Sequence, residues 1–539
     1  MTNDDPRQAT LDEVAGAARA GDFATAAARA QAALDGGFEH PLFYNVLALS
    51  LEQGGRVEEA ARLLERGVRL APGDVGVRNA LGLVLLRLDR PAEALPHFQA
   101  LIAAHPELAF AHTSAGNALL ALGALSAAES GFRRALELDP GQVAATAGLA
   151  HVAARRGRHA DARRLAEQAL AAAPGFPDAV RSLASADLGE RAPGAAELRL
   201  RAQLADPALP ALDRAWAQGL LGDALDAQGR PAEAFEQYSA CNAALRRLHA
   251  ARYAGEQDAL AYARALDAFF ETAPAADWKR PAPPPGPDRP VFLTGFPRSG
   301  TTLLEVALEG SPAVAALEEN ESLFDGVQAF MRRPGDVARL ASAPDSELEP
   351  LREKYWQRVV EAGGRPAGRQ FVDKHPLNTL KLPLIARLFP GARIVYALRD
   401  PRDVVLSCFR HRFRLSAPTY TFLTLEGAAQ YYDAVMRVGT RLAALLPLHV
   451  HFVRYERLVV DFDGEMRALC AFLGIEYLPA MRDFGPRTRE RSRATPSTAQ
   501  LARGLYDRGV GQWRAYAREL APVMPVLEPW VKGLRYDAD

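Results

Sequence analysis

The chain has 539 residues, 49% of them hydrophobic and 24% charged, with a formal net charge of −1. That length implies more than one hydrophobic core, and the near-zero charge excludes nucleic-acid binding by bulk electrostatics. Three widely separated cysteines, Cys241, Cys408 and Cys470, indicate neither a disulfide framework nor a zinc site and fit a reducing compartment. The opening stretch MTNDDPRQAT lacks the basic and apolar regions of a signal peptide, and no apolar run is long enough to span a bilayer. A cytoplasmic protein with no membrane partner is expected.

The first half repeats itself. Pro72, Pro106, Pro140 and Pro174 recur at an interval of 34, as do Ala60, Ala94, Ala128 and Ala162, and Val68, Ile102, Leu136 and Leu170. Ala26 extends the phase upstream and Ala196 downstream, and RPAEAFEQY (230–238) repeats RPAEALPHF (90–98). A small residue inside a second helix, with proline where that helix must stop, resembles the tetratricopeptide repeat. Six or seven units are expected over residues 10–250, stacked into an all-α solenoid spanning 1–270. Such an array serves as a scaffold or homodimerisation arm, or as a groove for a peptide or protein. Asn45 and Asn79 share one repeat position and could bond a peptide backbone.

Residues 271–290 hold seven prolines in twenty and read as a semi-rigid linker, placed at 271–289. Beyond it, 290–539 changes texture to mixed α/β. PVFLTGF (290–296) has a buried-strand pattern and LLEVALEG (303–310) has helical spacing. Between them, GFPRSGTT (295–302) forms a P-loop-like turn whose backbone N–H groups can face one anion, aided by the following helix N-terminus. A nucleotide triphosphatase would place lysine at 301, where this chain has Thr301 followed by Thr302. The missing lysine disfavours a kinase-like phosphotransferase and favours a donor that needs no metal. Arg298 supplies a permanent charge inside the loop.

A second cluster follows the strand IVYAL. RDPRD lies at its carboxyl end, where ligands of open α/β sheets bind. Arg399 and Ser407 are placed for a second phosphate, and Arg410, Arg412 and Arg414 make the area strongly basic. Two anion sites on neighbouring strands suggest a nucleotide with separate phosphates.

PRSGTT together with RDPRDVVLS resembles the sulfotransferases that use 3′-phosphoadenosine 5′-phosphosulfate (PAPS), over about residues 290–535. FVDKHPLN (371–378), VRYERLV (453–459), ATPSTAQ (494–500) and GVGQWRAY (509–516) agree in order and spacing. The match is nearest to bacterial sulfotransferases with an N-terminal tetratricopeptide array, and beyond them to tyrosylprotein sulfotransferases. It implies a central parallel sheet and transfer of a sulfuryl group to a hydroxyl acceptor, by in-line displacement and without a metal. The first loop, with Arg298, Ser299, Gly300, Thr301 and Thr302, would hold the phosphosulfate. Arg399, Ser407 and Tyr455 would hold the 3′-phosphate and adenosine.

The tyrosylprotein family's base glutamate lies 21 residues after its loop arginine, which from Arg298 gives Glu319. Glu318, Glu321 and His375 are rivals for that role. Lys374 matches the family's catalytic lysine, sharing with Arg298 the charge on the bridging oxygen, and Ser497 matches a serine donating there. Gln512 departs from a family lysine, for which Arg508 or Arg514 is expected to substitute, and His411 stands where the family has arginine. The acceptor is a protein, a carbohydrate or a smaller hydroxyl compound, with the repeats favouring a polypeptide. The competing expectation is a repeat scaffold whose second domain binds nucleotide without turnover.

Overall fold

The computed structural model describes residues 6–253, 258–273, 290–364, 368–484 and 509–536. Packing divides the chain at Arg199/Leu200 into two compact units. The first is all helical. Its helices come in pairs, beginning with Pro6–Arg19 and Phe23–Asp35 and continuing to Pro177–Gly189 and Pro193–Leu204, within which the break falls. The alanines of the repeat pattern, Ala26, Ala60, Ala94, Ala128, Ala162 and Ala196, are fully buried. A methyl group there lets neighbouring helices approach closely, and larger side chains fill the remaining space. Phe132, for example, occupies the room left by Gly116 and Gly148. Pro72, Pro106, Pro140 and Pro174 all follow a helix end, as expected of a residue that cannot continue the ladder. Asn45 and Asn79 lie half-buried on the first helices of their pairs, their side-chain oxygens without a hydrogen-bond partner.

The second unit contains the sheet. Five parallel strands run in the order β2-β3-β1-β4-β5: β1 (Val291–Gly295), β2 (Val314–Glu318), β3 (Gln370–Lys374), β4 (Arg393–Leu398) and β5 (His449–Arg454). The central strand β1 is buried along its whole length, as a near-continuous apolar run requires when both faces are covered. Val291, Leu293, Val395 and Ala397 pack on one face against Leu304, Leu308, Leu469 and Leu473. The sheet places every loop that follows a strand at one end.

The packing break does not coincide with the proline-rich break in composition, most of which lies outside the described residues. A seventh helix pair, Ala211–Ala227 and Pro231–Leu248, continues the repeat pattern in sequence but belongs to the sheet-containing unit. Its Ala215, Cys241 and Leu245 share a buried cluster with Leu415 and Leu423. The helix Ala259–Thr272 also docks there, with Arg441 Nε donating to Asp267 at 2.8 Å.

Candidate active site

Each of the five strands delivers a singled-out residue at its carboxyl end. β1 leads into the loop of Arg298, β2 ends at Glu318 with Glu319 following, β3 ends at Lys374, Arg399 follows β4 and Tyr455 follows β5. This is the crevice where an open parallel sheet binds ligands.

The loop after β1 closes at Gly300, whose φ of +96° belongs to the left-handed region that favours glycine. Space demands glycine too, since a Cβ there would lie 2.7 Å from Tyr455 Cδ2. Ser299, Thr301 and Thr302 are buried around the turn, and Thr301 opens the loop helix Thr301–Leu308. Its first N–H groups have no intrahelical acceptor, which suits an anion. Arg298 adopts φ +72°, a conformation that non-glycine residues hold at a cost of about 1–3 kcal/mol and that clusters at functional sites. Its Nε donates to Ser407 Oγ at 3.0 Å, and its carbonyl accepts from Arg399 Nη1 at 2.9 Å. The two anion motifs of the sequence are thereby joined directly. Burial, reinforced by the like charge of Arg399, lowers the Arg298 guanidinium to about 10.

Lys374 is completely buried and faces three carboxylates. Its Nζ lies 2.8 Å from Glu319 Oε1, 3.3 Å from Glu318 Oε1 and 3.5 Å from Glu305 Oε2. Burial alone would pull the ammonium down, but Glu305, Glu319 and Glu318 together hold it above the ordinary lysine range. Glu319 is the counterpart: burial pushes its carboxyl up, and Lys374 more than offsets this, leaving it below the usual carboxylate range. The backbone enforces the pairing, because Glu318 and Lys374 are in register across β2 and β3, and Glu319 N donates to Lys374 O at 2.7 Å. Glu319 also has a left-handed φ of +43°.

Two of the three rivals for the base, Glu321 and His375, are held elsewhere, whereas Glu318 stays beside Lys374 at 3.3 Å. Glu321 accepts from Lys381 Nζ at 2.6 Å and lies 3.2 Å from His375 Nε2. Burial raises Glu321, but His375 and Lys381 bring it well below the carboxylate range. His375 is thus tied to Glu321, whereas Glu319 is tied to Lys374.

Arg399 completes the opposite end. Its guanidinium bonds the carbonyls of Arg298 and Gly509 and lies over the Tyr455 ring, 4.8 Å from the centroid. Its Nε is buried without a hydrogen-bond partner, a donor suited to an anionic oxygen. Asp403 accepts from Gly511 N at 2.7 Å and Trp513 N at 2.8 Å, clipping the segment 509–516 onto the helix Pro401–Arg410. Gln512 Oε1 accepts from Arg410 Nη1 at 3.4 Å.

The arginine-rich stretch is less basic than its sequence suggests. Arg410 pairs with Asp226 at 2.6 Å and Arg412 pairs with Asp223, both aspartates lying on the seventh helix pair. The local excess of positive charge is therefore partly cancelled. Ser497 and Arg508 lie outside the described residues. Sequence reasoning missed Glu305 and Asp403. Glu305 carried a signal, since it is a lone carboxylate inside the otherwise apolar TTLLEVAL, and a buried charge demands a partner.

Among the described residues, no helix is long and apolar enough to cross a membrane. Residues 290–479 match the model of the sulfotransferase family, and residues 11–75, 79–143 and 119–188 match tetratricopeptide-repeat models. An uncharacterised protein of Aquifex aeolicus is 25% identical over 46% of this chain, which spans 33% of that protein's length. Protein-tyrosine sulfotransferase 2 of Gallus gallus is 27% identical over 46% of this chain and 69% of its own. The sulfotransferase domain of the Synechococcus olefin synthase is 20% identical over 44% of this chain and 90% of its own, with a TM-score of 0.32, too low to carry an argument.

Proposed function

We propose, for a chain that carries tetratricopeptide repeats ahead of a sulfotransferase domain, that it moves a sulfuryl group from PAPS to a hydroxyl acceptor. One observation carries this reading: Lys374 is gathered with Glu319 at the carboxyl ends of β2 and β3, beside a loop that has arginine but no triphosphate lysine. In this reading the loop of Arg298, Ser299, Gly300, Thr301 and Thr302 holds the phosphosulfate. Arg399, Ser407 and Tyr455 hold the 3′-phosphate and adenosine, and Ser497 donates near the bridging oxygen.

The acceptor oxygen attacks sulfur as the bond from sulfur to the bridging phosphate oxygen breaks. Glu319 takes the acceptor proton. Lys374 and Arg298 neutralise the charge growing on the bridging oxygen, which leaves as adenosine 3′,5′-bisphosphate. Positioning and electrostatics supply most of the acceleration. The resting pair suits this division of labour. While Lys374 binds Glu319, the carboxylate is ionised but weakly basic, and as the ammonium turns to the leaving oxygen the carboxylate gains basicity. A polypeptide acceptor, with tyrosine first among candidates, follows from the repeats and the avian relative. Three buried, unbridged cysteines fit a reducing compartment, and a cytoplasmic location belongs to the same proposal.

The test is turnover of PAPS by the full chain with tyrosine peptides, simple phenols and saccharides as acceptors, without divalent metal. Release of adenosine 3′,5′-bisphosphate that depends on Lys374 is expected. Release unchanged in Lys374→Ala would count against the assignment.

A further inference from the structure

We propose that the seventh helix pair, Ala211–Ala227 with Pro231–Leu248, is a positioning element of the nucleotide site, so that donor affinity and the docking of this pair are thermodynamically linked. The inference rests on the reading of the Arg399 end as a phosphate site.

Asp226 is the junction. Its carboxylate receives Arg410 Nη2 at 2.6 Å and the Tyr516 hydroxyl. Arg410 ends the helix that carries Ser407, and Tyr516 ends the segment that begins at Gly509, whose carbonyl receives Arg399. One side chain of the helix pair thus holds both walls of the proposed phosphate site. Asp223, one turn earlier, receives Arg412 from the same region and the Tyr238 hydroxyl from its own helix pair. The Arg410 guanidinium lies between the rings of Tyr238 and Tyr516, 5.4 and 5.3 Å from their centroids.

The contact is built for close approach. Asn242 Nδ2 donates to the Phe409 carbonyl at 2.8 Å, a buried bond two residues from Ser407. Phe235 stacks on Phe409 at 5.1 Å. Gly219 leaves room for Arg412, whose Cδ would lie 2.7 Å from any Cβ placed there. Two carboxylates also set the electrostatics, because Asp226 and Asp223 balance Arg410 and Arg412 while Arg399 donates to backbone carbonyls. An anion would then meet Arg399, whose hydrogen bonds go to backbone carbonyls and whose buried Nε is still without one. A ligand that orders Arg399, Ser407 and the 509–516 segment must favour the arrangement that Asp226 braces. By linkage, docking of the pair must favour the ligand equally.

The experiment uses the full chain and adenosine 3′,5′-bisphosphate as probe. Calorimetric affinity is measured for the unaltered chain, Asp226→Asn and Asp226→Glu, with donor KM and acceptor KM alongside. Hydrogen exchange of residues 211–248 in the unaltered chain, with and without the bisphosphate, needs no variant to fold. At least a tenfold weaker bisphosphate affinity in Asp226→Asn is expected, with donor KM raised, acceptor KM unchanged and partial recovery in Asp226→Glu. Slower exchange in 211–248 on adding bisphosphate is expected as well. Affinity in Asp226→Asn within twofold of the unaltered chain, or exchange indifferent to the ligand, would overturn this inference alone. An unaltered chain that binds no bisphosphate would overturn the sulfotransfer reading and this inference with it.

Discussion

Lys374 Nζ lies 2.8 Å from Glu319 Oε1, so the cation assigned to the leaving group and the carboxylate assigned to the acceptor proton are hydrogen-bonded to each other. Each sets the other's proton affinity, and the behaviour of the site with pH follows from that pair.

Glu319 is held below the usual carboxylate range by Lys374 against the effect of burial. A base must be deprotonated, so activity is lost as pH falls through its pKa. The acidic limb of kcat/KM for the free enzyme is therefore expected below the ordinary glutamate value of about 4.3. An imidazole base would place that limb near about 6.5. A pH–rate profile separates the two. Glu319→Gln should lower kcat by about 10²–10⁴-fold while leaving bisphosphate affinity nearly intact.

Glu305 adds a third negative charge beside Lys374, at 3.5 Å and fully buried. With Lys374 and its three carboxylates all ionised, the four groups carry one positive and three negative charges, a net −2. That is unfavourable next to an anionic donor. Glu305→Gln is expected to tighten bisphosphate binding severalfold and to lower kcat, because Lys374 loses one of the groups that orient it. Weaker bisphosphate binding in calorimetry would show that Glu305 acts in some other way.

Arg399 is predicted to govern affinity rather than chemistry. A charge-assisted hydrogen bond contributes about 1.5–3 kcal/mol, so Arg399→Ala should weaken bisphosphate binding by about 10–150-fold. Part of that loss will come from freeing the carbonyls of Arg298 and Gly509 that the guanidinium ties together. Arg399→Lys should recover little, because an ammonium cannot bridge two carbonyls and present a third donor in one plane.

Asp373 provides a stability test. Burial raises its carboxyl to about 6, and although Oδ2 accepts from Tyr355 at 3.0 Å, Oδ1 has no hydrogen-bond partner. The folded-state value exceeds the unfolded one, so the ionised form costs stability. That cost grows as pH rises from about 4 towards about 6 and is complete above it, at about 3 kcal/mol. Asp373→Asn keeps an acceptor for Tyr355 and removes the charge. Its Tm at pH 8 should exceed that of the unaltered chain by a few degrees, with the gap closing towards pH 4. A lower Tm at pH 8 would contradict this account of Asp373.

Much of this architecture was legible in the chain because it is local or periodic. The alanine column at intervals of 34 is the buried face of the helix pairs. PVFLTGF and IVYAL are the adjacent strands β1 and β4, so the loops that follow them meet. What escaped is side-chain partnership between distant segments. Arg410 and Arg412 read as making their area strongly basic, because nothing near them in sequence announces Asp226 and Asp223, 184 and 189 residues away. The proline-rich stretch marks a change in composition, yet the packing break lies ahead of the seventh pair, whose Phe235, Cys241 and Asn242 contact or cluster with residues 409–423. Glu305 was overlooked for the same reason, since a helix pattern does not say which ammonium lies opposite a buried position, here Lys374 at 3.5 Å.

The measurement that bears most directly on the central claim is calorimetric titration of the full chain with adenosine 3′,5′-bisphosphate and, separately, with ATP and Mg²⁺. The account predicts tight binding of the bisphosphate that is lost in Arg399→Ala, with weak or undetectable binding of ATP whether or not Mg²⁺ is present. Absence of bisphosphate binding together with Mg²⁺-dependent binding of ATP would contradict it.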